Sequence, residues 1–275
     1  MRTEHKQEMK LRRRNIALTV AYDGTNYNGF QWQSPPRVAV QNVLEERLEK
    51  IFGDKIELAA AGRTDAGVHA SCMVAHTEIE NLEMPLDQLT FKLNQVLPPD
   101  ILITRIVPVT PEAHARFSAT SRTYRYYITT GKPLFNRAYA MRIFEPLDIE
   151  LMNHASAKLF CYEDFTSFSK LHTDTKTNIC HIEEAFWAER EPDAWEDPNA
   201  KHYVFTITAD RFLRNMVRAI VGTLLQVGKH RMTIKEFAEV IEGKNRCIAG
   251  DSVAAQGLFL ENIEYPESCF PELTF

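Results

Sequence analysis

The chain has 275 residues, 44% of them hydrophobic and 25% charged, with a formal net charge of −5. That suffices for one large or two medium domains with real cores. No apolar run approaches the ~20 residues that a membrane-spanning helix needs, so no such helix is expected in this sequence.

Residues 1–14 are polar and basic without an apolar h-region, so they read as a flexible tail rather than a secretory signal. Lys10, Arg12, Arg13 and Arg14 of that tail are candidates to touch phosphate. Ile16, Leu18, Val20 and Tyr22 alternate and end at Asp23-Gly24, which predicts a strand and turn. Val40, Val43, Leu44, Leu48 and Ile51 share one helical face, closed by Gly53. Ile56 to Ala61 and Cys72 to Thr77 read as strands. Leu86, Leu89, Leu93 and Val96 mark a second helix, stopped by Pro98-Pro99. Ile101 to Val107 is a further strand. The order β-α-β-β-α-β is that of the split βαβ, or ferredoxin-like, unit.

After Pro108 and Pro111 the order repeats. Thr123 to Thr129 reads as a strand, Leu151 to Phe160 as a helix, and Ile179 to Ala188 as a strand. Tyr203, Phe205 and Ile207 alternate as another strand. Met216, Ile220, Leu224 and Val227 form a helical stripe, and Thr233 with Glu236 is a capping box opening an extra helix. Leu258 to Ile263 supplies the last strand. The expected architecture is α/β (α+β), with two ferredoxin-like or RRM-like domains, 15–112 and 113–275. Their antiparallel sheets are expected to adjoin around a central cleft. Glu189 to Asn199, with Pro192 and Pro198, reads as a solvated hairpin tip.

Five cysteines (Cys72, Cys161, Cys180, Cys247, Cys269) form no C-x-x-C pair, which suits a reducing cytoplasm. The nine histidines show no metal-ligand spacing, so no metal is expected. The charge is unevenly distributed. Arg105 to Arg142 holds seven Lys/Arg and one acid, Glu112, and Arg211 to Arg231 holds five Lys/Arg and no acid. Glu183 to Asp197 holds seven acids against Arg190 alone. Such patches, rather than net charge, set the local attraction for phosphate.

The run Gly62-Arg63-Thr64-Asp65-Ala66-Gly67-Val68-His69 concentrates the chemistry. It sets a carboxylate between two glycines, with an arginine two residues before it and a histidine four after. An aspartate in such a loop can act as nucleophile, base or metal ligand, or simply close an Asx-turn between strands. His69 reads as a structural hydrogen bonder.

The octapeptide resembles the catalytic loop of the tRNA pseudouridine synthase A family, and the resemblance extends from Ile16 to Tyr265. The stretch from Ala21 to Gln31 is similar to the family's opening strand and loop, with Phe30 where the family usually has Trp. The second signature is matched by His114-Ala115-Arg116-Phe117-Ser118-Ala119-Thr120, running on through Arg122-Thr123-Tyr124-Arg125-Tyr126. Asp164-Phe165-Thr166-Ser167-Phe168 and Phe212-Leu213-Arg214-Asn215-Met216-Val217-Arg218 match two more, and Ala255 to Leu260 matches the closing strand.

The resemblance implies that Asp65 is the catalytic aspartate, that Tyr124 packs on the target base and takes part in proton transfer, and that Arg218 pairs with Asp65. It implies a nucleic-acid contact for Arg63 beside the loop, and substrate-binding positions at Arg116, Arg122, Arg125, Arg214 and Leu258. It further implies a cytoplasmic homodimer acting on the anticodon stem-loop of tRNA, at uridines thirty-eight to forty, without cofactor. Turning uridine into pseudouridine breaks the glycosidic C–N bond and rejoins the base through C5, with no redox change. A competing reading is a non-catalytic protein with tandem RRM-like domains, but the chain lacks the RNP1-type strand that such a protein carries.

Overall fold

The structure, a computed structural model, describes residues 13–80, 82–170 and 177–273. Lys10 and Arg12 lie outside the described residues, whereas Arg13 and Arg14 open the first strand rather than belonging to a tail. The chain divides into two compact units: the described residues of Met1–Thr120 with Asn262–Phe275, and Ser121–Glu261. The architecture is mixed α+β, with five α-helices among the described residues. None of these helices is long and apolar enough to cross a membrane.

In the first unit the central strand β1 (Arg13–Tyr22) is buried on both faces, so its core, Ile16 to Val20, reads as a near-continuous apolar run interrupted only by the buried Thr19. Helix α1 (Val40–Phe52) buries Val40, Leu44 and Leu48 along one face. Gly53, at φ 78°, closes it in the left-handed conformation, where a Cβ is costly. Strand β2 is only Ala59–Ala60. The predicted strand fails at Leu58 because side chains take the backbone's hydrogen bonds: Leu58 N–H donates to Glu45 Oε1 (2.8 Å), and Leu58 O accepts from Gln41 Nε2 (2.9 Å). Strand β3 (His69–Glu80), helix α2 (Leu86–Val96) and strand β4 (Ile101–Pro108) follow. The strands lie in the order β4-β1-β3-β2, each pair antiparallel.

The same unit receives the end of the chain. Glu264 O accepts from Thr120 N–H (2.9 Å), Cys269 O accepts from Thr110 N–H (3.2 Å), and Tyr265 donates its hydroxyl to Ala115 O (2.6 Å).

The second unit is built on β5 (Ser121–Thr129). A two-residue strand β6 (Met141–Arg142) runs parallel to it. Helix α3 (Ile149–Ser156) is capped by the Asp148 side chain and tightens into a 3₁₀ turn over Ala157–Cys161. Strands β7 (Ile182–Arg190) and β8 (His202–Ala209) pair antiparallel, as do β5 and β8. Helices α4 (Met216–Gly228) and α5 (Ile234–Glu242) precede β9 (Leu258–Glu264), giving the order β9-β5-β8-β7. The Thr233–Glu236 capping box opens α5.

Helix α4 buries the expected stripe of Met216, Ile220, Leu224 and Val227 together with every other position except Arg218 and Gln226, so it is a core helix. The 189–199 segment is not merely solvated, because the Glu196 side chain is 1% exposed. Glu196 accepts both terminal nitrogens of Arg190 (2.7 and 2.5 Å) and the Asp193 N–H (2.9 Å). Burial pushes its carboxyl up, but those donors outweigh burial and hold it below the usual carboxylate range.

Candidate active site

The aspartate loop joins β2 to β3 and is held on the turn that follows β1. Thr64 is the anchor: its Oγ1 accepts the Phe30 N–H (3.0 Å) and lies 2.8 Å from the Tyr22 hydroxyl. Gly67 donates its N–H to Tyr27 O (3.2 Å), and Val68 closes a turn onto Asp65 O (3.2 Å). Gly29 and Gly67 have φ of 83° and 78°, a region L side chains seldom adopt. Asp65 sits half-buried on this turn with Arg63 exposed beside it.

His69 is 1% exposed and works from below the loop. Its Nδ1 accepts the Gly24 N–H at 3.0 Å and lies 3.1 Å from Asp23 Oδ1. One ring nitrogen cannot do both at once. The buried Gly24 amide has the stronger claim on that nitrogen, since an orphaned backbone N–H is costly.

In the second unit Tyr124 lies half-buried on β5, with Phe212 edge-on to it at 5.1 Å between ring centres and 86° between planes. Arg218 is fastened at the start of α4: its Nε donates to Val253 O (2.7 Å), and its own carbonyl accepts the Val253 N–H (3.2 Å). The segment carrying Val253 is fixed in turn. Ser252 Oγ receives Asn215 Nδ2 (2.5 Å) and an Arg246 guanidinium nitrogen (2.9 Å). A Cβ on Gly222 would stand 1.8 Å from Asp251 O, so only glycine admits this packing on α4.

Of the basic candidates, Arg122 donates to Asp210 O (2.7 Å), and Arg125 lies 4.0 Å from Glu261 Oε2. Arg214 is exposed one turn before Arg218, and its carbonyl accepts the Lys170 N–H (3.0 Å). Arg116 is exposed in the first unit, its guanidinium 5.7 Å from the Phe117 ring. Leu258, 5% exposed, heads β9 as a core residue. The structure thus brings Arg63 and Asp65 onto one turn, Arg122, Tyr124 and Arg125 onto one strand, and Arg214 and Arg218 onto one helix start. Among the described residues no group of three or more His, Cys, Asp or Glu side chains is placed to hold a metal ion.

Sequence reasoning passed over four contributors. Tyr22 and the Thr64 hydroxyl lock the loop, Phe212 sets the Tyr124 ring, and Val253 holds Arg218. The signal for Thr64 was present, since threonine beside aspartate in a glycine-bounded turn is a local hydrogen bonder. The role of Val253 uses its backbone alone and leaves no trace in residue type.

A family model described as tRNA pseudouridine synthase matches residues 18–118 and 155–266. A tRNA pseudouridine synthase A from Bacteroides thetaiotaomicron is 55% identical over 259 residues, covering 94% of this chain and 93% of the relative. Its counterpart from Bacteroides fragilis is 52% identical over 253 residues, with 92% and 97% covered. That from Bdellovibrio bacteriovorus is 38% identical over 259 residues, with 92% and 95% covered. Together with the clamped aspartate turn, these likenesses define an RNA-modifying isomerase. The chain belongs to the tRNA pseudouridine synthase family.

Proposed function

We propose that the protein isomerises uridine to pseudouridine in the anticodon stem-loop of tRNA, at uridines thirty-eight to forty. The observation that carries this reading is the Asp65 turn, which matches the family's catalytic loop and is clamped by Thr64, Gly67 and His69. Asp65 acts in detaching the base, as nucleophile or base. Arg218 pairs with it as a guanidinium fork, keeping the carboxylate ionised and oriented. Tyr124 stacks on the detached base and shares in proton transfer. Arg63 aids extrusion of the uridine from its stem, a step that costs a few kcal/mol. Arg116, Arg122, Arg125 and Arg214 meet phosphates, and Leu258 lines the base site.

The same reading takes the two strand orders, β4-β1-β3-β2 and β9-β5-β8-β7, as two ferredoxin-like domains. It also takes the working form as a cytoplasmic homodimer that needs no cofactor. Incubation with tRNA tritiated at uridine C5 tests it, because isomerisation must release that tritium to water. Asp65→Asn is expected to stop release while tRNA affinity stays within about threefold, since phosphate contacts dominate binding. Near-normal release by this variant would remove Asp65 from the chemistry.

A further inference from the structure

Residues 131–144 form a strap leaving β5 that none of the matched motifs includes. It is pinned along its length. Asn136 donates its side-chain amide to the buried Glu196 carboxylate, and Gln256 Nε2 donates to Arg137 O (3.1 Å). The Tyr126 hydroxyl, which donates to Ala254 O (2.9 Å), lies against Met141 Sδ at 3.2 Å. At the strap's start a Cβ on Gly131 would lie 2.6 Å from Ala200 Cβ. Yet this fastened segment turns large rings outward: Phe135 is 68% exposed and Phe144 80%, with the Arg142 guanidinium 4.5 Å from the centre of the Phe144 ring. The strap holds Lys132, Arg137 and Arg142, all exposed, and no acid.

Rigid, exposed rings interleaved with cations on a chain of net charge −5 are the chemistry of single-stranded nucleic acid, where bases stack on rings and phosphates meet guanidinium or ammonium groups. We propose that the strap is a further tRNA-binding surface. Phe135 and Phe144 take unpaired bases by stacking, and Lys132, Arg137 and Arg142 neutralise the adjoining phosphates. Glu196 holds Asn136, the residue that follows Phe135. The charge favours RNA over a second copy of this chain, since strap against strap in a two-fold interface would oppose three cations to three.

The proposal rests on tRNA being the substrate, and its test keeps the two separable. Tritium release from C5-labelled tRNA is measured against tRNA concentration for the wild type, Phe135→Ala, Phe144→Ala and Phe135→Leu, with the sedimentation of each protein. Each alanine variant is expected to raise KM at least about fivefold, with kcat within about twofold and sedimentation unchanged. Phe135→Leu is expected to resemble the alanine variant, because it keeps apolar area but loses the π-face. Wild-type KM in both alanine variants, or full rescue by leucine, overturns the strap as a stacking surface. A shift of the alanine variants to a smaller species makes it a protein interface and overturns it likewise. No tritium release by the wild type itself would instead sink the proposed function.

Discussion

Gly24 and Val68 are in backbone contact: a Cβ on Gly24 would stand 2.0 Å from the Val68 carbonyl oxygen. The turn after β1 and the aspartate loop are thereby interlocked, and Gly29 repeats the device, a Cβ there meeting Thr64 O at 2.1 Å. Asp65 lies between these two points of closest approach.

Gly24→Ala is therefore expected to push the loop away and act on chemistry more than on binding. A displacement of about 1 Å at a reacting group costs roughly a hundredfold in rate. Single-turnover kinetics should show kcat down by about that factor, with KM for tRNA little changed and the fold retained by circular dichroism. Wild-type kcat would show that the loop's position is not set by this contact.

Tyr124→Phe keeps the ring and its edge-on contact with Phe212. It is expected to bind tRNA normally and turn over slowly, since only the hydroxyl is lost. Tyr124→Ala removes the stacking surface as well and is expected to be worse in both KM and kcat. Equal behaviour of the two variants would mean that the ring does not stack on the base.

Arg218→Lys preserves the charge but loses the planar fork and the Nε donor to Val253. We expect kcat to fall at least about tenfold with KM within a few-fold, because an ammonium cannot hold a carboxylate in fixed bidentate geometry. Retained kcat would show that charge alone suffices at this position.

Glu196 supplies a pH-dependent prediction. Its carboxyl is held below the ordinary glutamate value of ~4.3, so the stability it contributes is complete above that value and is lost as pH falls through the lower folded one. Glu196→Gln takes from Arg190 its two-pronged carboxylate partner and leaves it only the carboxylate of Asp193, with Oδ2 at 3.7 Å. It is expected to lower the melting temperature at pH 7 by about 5 °C or more. The gap from the wild type should narrow below pH ~4. A gap of constant size across that range would assign the loss to packing rather than to charge.

Much of the fold was legible because it follows from periodicity and punctuation. Leu44 and Leu48 marked the buried face of α1, Gly53 its end, and Thr233 with Glu236 the start of α5. What was not legible depends on partners distant in sequence. Ile56 to Ala61 has the residues of a strand, yet Gln41 and Glu45 take the hydrogen bonds that a ladder needs at Leu58. Glu196 sits in a run of acids that composition marks as solvated, yet its side chain is enclosed by Arg190, Asn136, the Asp193 N–H and His202. Among the candidate residues, Asp65, Tyr124 and Arg218 stood out through matched motifs. The Tyr22–Thr64 lock and the Val253 carbonyl did not, since one joins residues far apart and the other is backbone.

The chain leaves its first unit at Thr120 and returns to it at Asn262, so the second unit is an insertion within the first. During synthesis the hydrogen bonds that Thr110, Ala115 and Thr120 make to 264–269 must wait until the whole insertion has emerged from the ribosome. By then the second unit lacks only the last residues of β9, which runs to Glu264, so it can be nearly complete before the unit that begins the chain. Completion order can thus run opposite to birth order, and a nascent chain stalled before Asn262 would carry the aspartate loop in an unfinished body.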